Sequence, residues 1–373
     1  MAALKDRRKI RYAVVGLGHI AQVAVLPAFE HARQNSQLTA LVSDDPQKLK
    51  ALARRYKVDH VFSYREYCDC LRSGAVDAVY IALPNHLHAE YSISAARAGI
   101  HVLCEKPMAV TEKECRAMMR AVENNRIKLM IAYRLHFEAA NMKAVELIRS
   151  GKLGDPRFFT SSFSMQVRPD NIRTDKEKGG GTLYDIGIYC INAARYLFGA
   201  EPTEVFAFSS ANKKDKRFRE IDEMTSALLR FPDDRLAVFT SSFGAADVAS
   251  YRVVGTKGDV RLEQAYEYVY PIDLHTTIKG KTRKRTFSKR DQFAPELIYF
   301  SDCILNNKTP EPSGMEGVAD VRIIEALYRS VKRGRPVKIE PVRQAQRPSV
   351  KQTIRRPAIA KPALVHVESA SLQ

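Results

Sequence analysis

Ile10-Arg11-Tyr12-Ala13-Val14-Val15-Gly16-Leu17-Gly18-His19-Ile20-Ala21 is the stretch that decides the fold. Its first six residues read as a buried strand. They run directly into G-x-G-x-x-A. In such a turn the first glycine allows a tight bend and the second lets backbone approach a pyrophosphate. The small third residue lets the next helix pack close to the strand. That helix, predicted over residues 20–33, offers its N-terminus to phosphates. Small-residue turns are common, so the motif draws its weight from lying between a strand and a helix.

Outward from this turn, strand and helix patterns alternate. Strands are predicted at 38–42, 76–83, 102–104 and 128–132, and helices at 64–72, before Ala98-Gly99, and at 111–124 with Thr111 as N-cap. This alternation predicts a parallel, doubly wound sheet over residues 1–135. Ligands of such sheets bind beyond the carboxyl ends of the strands, so those ends are the places to search. The second strand ends at Ser43-Asp44-Asp45-Pro46-Gln47-Lys48. An acidic residue directly at that end favours NAD; Ser43 and Lys48 suit a 2′-phosphate, so NADP is favoured, with Asp44 leaving NAD possible. The next strand ends at Leu83-Pro84-Asn85-His86-Leu87-His88. Asn85 and His88 are either a helix cap and a surface residue or groups near a nicotinamide. Val102-Leu103-Cys104 ends at Glu105-Lys106-Pro107. Lys106 stands either at the mouth of a site, on a turn stiffened by Pro107, or on an ordinary solvated loop.

The pattern changes after Tyr133-Arg134-Leu135-His136. A helix at 137–149 is followed by predicted strands at 157–167, 203–209, 224–231, 236–243, 251–254, 260–262 and 266–272, which read as a largely antiparallel sheet. Among them Gly179-Gly180-Gly181 opens a helix that carries Asp185 and Tyr189 on one face. That pair is either a plain structural hydrogen bond or part of a site. Two late helices, 294–306 and 315–333, complete an α+β second domain over 136–340; the second of them could pack back on the first domain.

The chain's 373 residues suit about two domains. Its 45% hydrophobic and 27% charged residues are ordinary globular usage. No apolar run approaches the ~20 residues of a membrane span, and no secretory signal is visible, which points to the cytoplasm. Six scattered cysteines without metal-ligand spacing suit reduced thiols, and no metal is expected. The net charge of +18 sits in residues 279–290, in 213–219 and in the tail, 341–373. The tail, with four prolines and little periodicity, is predicted to be disordered. Basic runs can bind nucleic acid, but no nucleic-acid-binding motif accompanies these, so solvated loops are favoured.

In order, Gly16-Leu17-Gly18-x-x-Ala21, Pro84-Asn85-x-x-His88, Glu105-Lys106-Pro107 and Gly-Gly-Gly-x-x-x-Asp185-x-Gly-x-Tyr189 resemble the glucose–fructose oxidoreductase / inositol dehydrogenase family, from about Lys9 to Glu340. The resemblance implies a Rossmann domain, an open-faced sheet domain that pairs into homodimers or homotetramers, and a sugar or polyol substrate. It places Gly16, Leu17, Gly18, His19, Ile20, Ser43, Lys48, Leu83, Pro84, Asn85, His88, Glu105, Lys106, Tyr133, Arg134 and Arg173 around the cofactor, and Lys106, Tyr189 and Asp185 at the chemistry. Most members carry His where this chain has Tyr189. Tyr189, with Tyr133-Arg134-x-His136, Ser43 and Lys48, is similar to the glucose–fructose oxidoreductase branch, which implies tightly held NADP. Two departures stand out: the N-terminal arm of that branch is not visible, and Asn171-Ile172-Arg173 lacks the Trp found in relatives. Oxidising a sugar removes a hydride from carbon and a proton from oxygen. Tyr189 is the candidate base, with Lys106 as the nearby cation, and these roles can be exchanged. A nucleotide-binding regulator without activity and an NAD-dependent glycosidase remain alternatives; the first sits poorly with an intact Lys106.

Overall fold

The computed structural model describes residues 8–372, so the start of the polar N-terminal stretch, 1–7, lies outside the described residues. The first sheet contains β1 (Ile10–Val15), β2 (Ser36–Val42), β3 (His60–Phe62), β4 (Ala78–Ile81), β5 (His101–Cys104) and β6 (Leu129–Ile131). All its pairings are parallel, in the order β3-β2-β1-β4-β5-β6. The order reverses at β1, so the loops after β1 and β4 diverge and open a crevice. Tyr12 and Val14 are buried on one face, Ala13 and Val15 on the other, as expected for a sheet covered on both sides. β3 escapes sequence patterning because it is three residues long with two of them exposed.

A π-helical turn, Ala21–Val25, leads into α1 (Leu26–His31); α2 (Pro46–Tyr56), α3 (Tyr67–Arg72), α4 (His88–Arg97) and α5 (Glu112–Asn124) follow. Thr111 does cap α5, in a reciprocal box with Glu114. Then come α6 (Ala139–Arg149) and β7 (Pro156–Ser164). A second π-helical turn, Leu183–Gly187, leads into α7 (Ile188–Phe198). The second sheet continues with β8 (Glu204–Ser210), β9 (Met224–Phe231), β10 (Arg235–Ser242), β11 (Val248–Gly255), β12 (Gly258–Glu263), β13 (Ile272–Ile278) and β14 (Lys281–Phe287). After α8 (Ala294–Leu305) and α9 (Gly314–Arg333), the two-residue β15 (Val337–Lys338) joins its edge. The order is β14-β13-β12-β11-β7-β10-β9-β8-β15, antiparallel except for the β7–β10 pair. Alternation is strict along β9, where Thr225, Ala227, Leu229 and Phe231 face inward and Met224, Ser226, Leu228 and Arg230 face out.

Several expectations need correction. Residues 266–271 are a loop, not a strand: Tyr266 is buried against other aromatics and its hydroxyl lies 2.6 Å from Ser161 Oγ, while Pro271 precedes the true strand. The basic run after Ile278 is not a loop. It turns at Lys279-Gly280 and forms β14, whose charged residues hide any apolar alternation. The tail is ordered among the described residues, because it buries Val342 and ties its polar groups to the body, for example Arg347 Nη2 to Glu201 Oε1 at 2.6 Å. Both late helices reach the first domain: α8 lies on its sheet, with Ser301 Oγ 2.8 Å from both Tyr12 Oη and Ser36 Oγ, and α9, as expected, packs back on α5 and β6 while its other side meets β8. All six cysteines are free, and burial pushes the Cys70 thiol up to about 12. No helix among the described residues is long and apolar enough to cross a membrane.

The two sheets are joined through a buried polar cluster. Arg195 on α7 is fully buried; its Nε lies 2.6 Å from Glu201 Oε2, and its Nη1 lies 2.9 Å from Glu316 Oε1 and 2.6 Å from Asp320 Oδ1 on α9. Asn192 donates to both α9 carboxylates and accepts at 2.8 Å from His136, which follows β6. Burial is tolerated because every charge has a partner; removing one partner costs about 3–5 kcal/mol. Arg195→Met is therefore expected to lower stability by about that amount, seen as an earlier midpoint in urea unfolding. An unchanged midpoint would show the cluster is not what holds α7 on α9.

Candidate active site

The turn after β1 has the tight bend and the open glycine expected of it. Gly16 has φ +93°, and a Cβ there would lie 2.6 Å from the carbonyl oxygen of Ala82, so only glycine lets this turn pack on the end of β4, at the base of the crevice. A Cβ on Gly18 would meet nothing within 4 Å: this glycine faces open space. Helical structure begins at His19, so the first amides of the helix have no intrahelical partners. Leu17 is buried, and Ile20 packs against the core beneath. Burial, then the charges of Arg173 and Lys361, hold the His19 imidazole below its ordinary pKa.

At the end of β2 the carboxylates are spent on the backbone. Asp44 Oδ1 accepts from Tyr64 N at 2.7 Å, and Asp45 caps α2 by accepting from Gln47 N and Lys48 N at 3.0 Å. Lys48 Nζ stands 3.7 Å from Asp45 Oδ2. Ser43 departs from expectation: it is buried and its Oγ accepts from Asp45 N at 3.2 Å, so its hydroxyl belongs to the turn.

After β4, Leu83 is buried beside Gly16, and Pro84 precedes a short 3₁₀ turn, Asn85–Leu87. Asn85 Nδ2 donates at 2.8 Å to Gly179 O, reaching the second domain. His88 is corrected. Its ring is fully buried, with Nδ1 2.7 Å from Pro107 O and Nε2 2.8 Å from Leu83 O. It clamps the loops after β4 and β5 from beneath instead of facing a ligand, and burial lowers its pKa despite the two carbonyls.

Glu105 also points inward. It accepts from Tyr80 Oη at 2.8 Å, and burial raises its pKa. Lys106 points the other way, across to α7. Its Nζ donates to Asp185 O at 2.8 Å, lies 3.7 Å from Asp185 Oδ1, and stands 4.6 Å from the centroid of the Tyr189 ring. Arg173 Nε lies 2.6 Å from Asp185 Oδ2. Burial pushes the Asp185 carboxyl up, but Arg173 and Lys106 more than offset it and leave it below the ordinary carboxylate range. The glycine triplet permits this approach: a Cβ on Gly180 would fall 2.4 Å from Arg173 O.

Arg134 joins the cluster from the loop after β6. Its Nη2 lies 3.3 Å from Tyr189 Oη, and its guanidinium carbon is 5.1 Å from the ring centroid. Tyr133 does not join it: its hydroxyl donates at 2.5 Å to Asp320, on the far side of the loop. Sequence reasoning missed the frame around Tyr189 and Arg134. Phe163 and Tyr266 pack on the Tyr189 ring at 5.5 and 5.8 Å, Tyr268 lies 5.2 Å from Arg134, and Gln292 accepts from Arg134. The tyrosines at 266 and 268 were the available signal, concealed by their reading as a strand. The structure therefore brings Lys106, Arg134, Arg173, Asp185 and Tyr189 together, and places Ser43, His88, Glu105 and Tyr133 behind the surface they form.

A parallel sheet of this order, a glycine turn at its switch point and a cluster of Lys, Arg, Asp and Tyr side chains facing it fit a dinucleotide-dependent oxidoreductase. Residues 10–133 match the model of the oxidoreductase family with an NAD-binding Rossmann fold, and residues 141–261 match the GFO/IDH/MocA C-terminal domain. The chain is 34% identical to the D-xylose 1-dehydrogenase [NADP(+)] of Haloarcula marismortui, over 86% of this chain and 91% of that protein. The aldose–aldose oxidoreductase of Caulobacter crescentus, solved with glycerol, superposes with a TM-score of 0.86 at 38% identity, covering 89% of this chain and all of the other. A 3-ketoreductase of Actinomadura kijaniata, solved with NADP and TDP-benzene, gives a TM-score of 0.79 at 26% identity, covering 87% of this chain and 98% of the other. The chain belongs to the Gfo/Idh/MocA family and is an NAD(P)-dependent oxidoreductase.

The depressed pKa of Asp185 has a signed consequence. A carboxyl with a lower pKa folded than unfolded stabilises the fold above its unfolded pKa of about 3.9, and that contribution fades as pH falls through the folded value. Asp185→Asn is thus expected to be less stable than the parent at pH 7, with the gap narrowing below about pH 4. Urea unfolding at both pH values checks this; a gap that widens in acid contradicts the pairing.

Proposed function

We propose that this chain transfers a hydride between NADP and an aldose, with Tyr189 and Lys106 handling the proton. The observation that carries the reading is the Lys106 ammonium, held by both the carbonyl and the carboxylate of Asp185, lying over the Tyr189 ring at the mouth of the crevice. The residues fit a dinucleotide. Gly18 leaves room for a pyrophosphate, and Arg173 stands between His19 and Asp185, where it can serve both phosphate and site. When bound, the nicotinamide accepts or returns the hydride. Tyr189 Oη takes the proton from the sugar hydroxyl. Lys106 stands on its ring face, 4.6 Å from the centroid, and Arg134 Nη2 lies 3.3 Å from its oxygen. Lys106 orients the hydroxyl and, in the reverse direction, polarises the carbonyl. Asp185 touches the sugar or only fixes Lys106 and Arg173; either way it positions the cation.

NADP is supported over NAD by Lys48 at the ribose edge and by the engagement of Asp44 and Asp45 with backbone amides, which removes them from the ribose hydroxyls. The aldose is supported by the relatives, a D-xylose 1-dehydrogenase and an aldose–aldose oxidoreductase. Exchange between two sugars, of the glucose–fructose oxidoreductase type, is the finer form of the proposal.

The same reading includes assembly with a second copy through the outer face of the second sheet. Phe208 is 68% exposed there, and Phe158, Leu228, Leu236 and Val238 are exposed on the neighbouring strands. Light scattering is expected to give a mass of at least two chains; a monomer at micromolar concentration would remove this part.

The central assignment predicts that Lys106→Ala and Tyr189→Phe each lose about a hundredfold or more in turnover with aldoses. Nucleotide titrations should show both variants still binding NADP, more tightly than NAD. Turnover at the parent's rate in both variants would overturn the roles given to these residues.

A further inference from the structure

The last residues of the chain lie against the dinucleotide crevice, and their contacts are too specific for a loose tail. Arg356 first anchors the segment, with Nε donating to His31 O at 3.1 Å and Nη2 to Gln34 Oε1 at 2.6 Å. Arg55 Nη1 then donates to Ala363 O at 2.7 Å. Next the chain meets Gln22, which follows the G-x-G-x-x-A turn and is fully buried. Gln22 Nε2 donates to Val365 O at 2.9 Å, and Val365 N donates to Gln22 Oε1 at 2.8 Å. The same Nε2 donates to Leu17 O at 3.0 Å, inside the phosphate turn. A buried side-chain amide needs all its bonds met, and here the tail meets two of them. His366 Nδ1 lies 3.3 Å from Asp45 Oδ2, at the ribose edge beside Lys48.

From there the chain crosses to the second domain. Arg168 N donates to Ala370 O at 2.9 Å, and Leu372 N donates to Gln166 O at 3.0 Å, just past the end of β7. Glu368 lies 3.7 Å from Arg168. The segment is thus fixed at both ends, once on the Rossmann domain and once on the sheet domain, and it spans the space between them. Before it reaches Gln22 it carries Lys361, whose charge is felt at His19 of the phosphate turn.

Resting on the NADP reading above, we propose that residues 361–372 are a strap across the outer side of the cofactor crevice, with Lys361 facing the pyrophosphate and His366 the 2′-phosphate, and that the strap keeps NADP bound between turnovers. A retained cofactor cannot be exchanged for a fresh one. The hydride taken from the carbon of one sugar must then be returned to the carbonyl carbon of another. The proton released from the first sugar's hydroxyl is restored to the second's oxygen, so the cycle balances without free nucleotide.

The test compares the full chain with one lacking residues 358–373, and with His366→Ala in the full chain. Each is loaded with NADP and chased with excess unlabelled nucleotide while release is followed. The truncated chain is expected to release NADP about tenfold faster or more. It should also need added NADP for sustained turnover, where the full chain does not. His366→Ala keeps the strap's anchors, and should speed release of NADP but not of NAD. Release from the truncated chain at the full chain's rate would overturn the proposal. So would tighter retention after truncation, which would mean that the tail occupies the site instead of closing it. A full chain that binds no dinucleotide at all refutes the functional reading itself, and that result is distinct from the other two.

Discussion

A carboxylate shared by two cations sets the geometry of this molecule. The Asp185 carboxylate pairs at 2.6 Å with Arg173, on its own domain, and at 3.7 Å with Lys106, which arrives from the end of a strand in the other sheet. Largely buried charges are costly unless paired, so the two domains are held to one relative placement at the point where chemistry is proposed. Much of the architecture serves that placement. The π-helical turn brings Asp185 and, at the start of α7, Tyr189 to the crevice, and Arg195 at the other end of α7 locks the helix onto α9. His88, its ring fully buried, ties the two loops that present Asn85 and Lys106. The proposed reacting groups are few, and the groups that hold them still are many.

What could be read in the sequence follows from what sequence patterns encode. The parallel sheet was legible because its strands are buried on both faces and appear as unbroken apolar runs. β9 was legible because one face is dry and the other wet. Lys106, Asp185 and Tyr189 were legible through their places at a strand end and on a helix face. Patterns do not encode the side of a loop that a residue faces. Ser43, Glu105, His88 and Tyr133 all sit at strand ends or just beyond, yet their polar atoms turn inward to Asp45, Tyr80, two carbonyls and Asp320. Residues 266–271 misled because alternating tyrosines suit a strand as well as they suit an aromatic lining. The tail misled because its order comes from single, distant partners such as Gln22, which leave no local period.

The basic run in β14 bears on a different matter. An open sheet ends in two edges whose backbone groups can pair with another chain. One edge here is β15, two residues long. The other is β14, where Lys281, Arg283, Lys284 and Arg285 are exposed along a single strand. A further strand docking there would bring more charge beside that row, at short range and without burial to offset the repulsion. Nine strands can therefore lie side by side with an apolar outer face and still not template an endless ribbon. Part of the +18 charge that looks, in sequence, like an affinity for polyanions works as a stop on lateral growth.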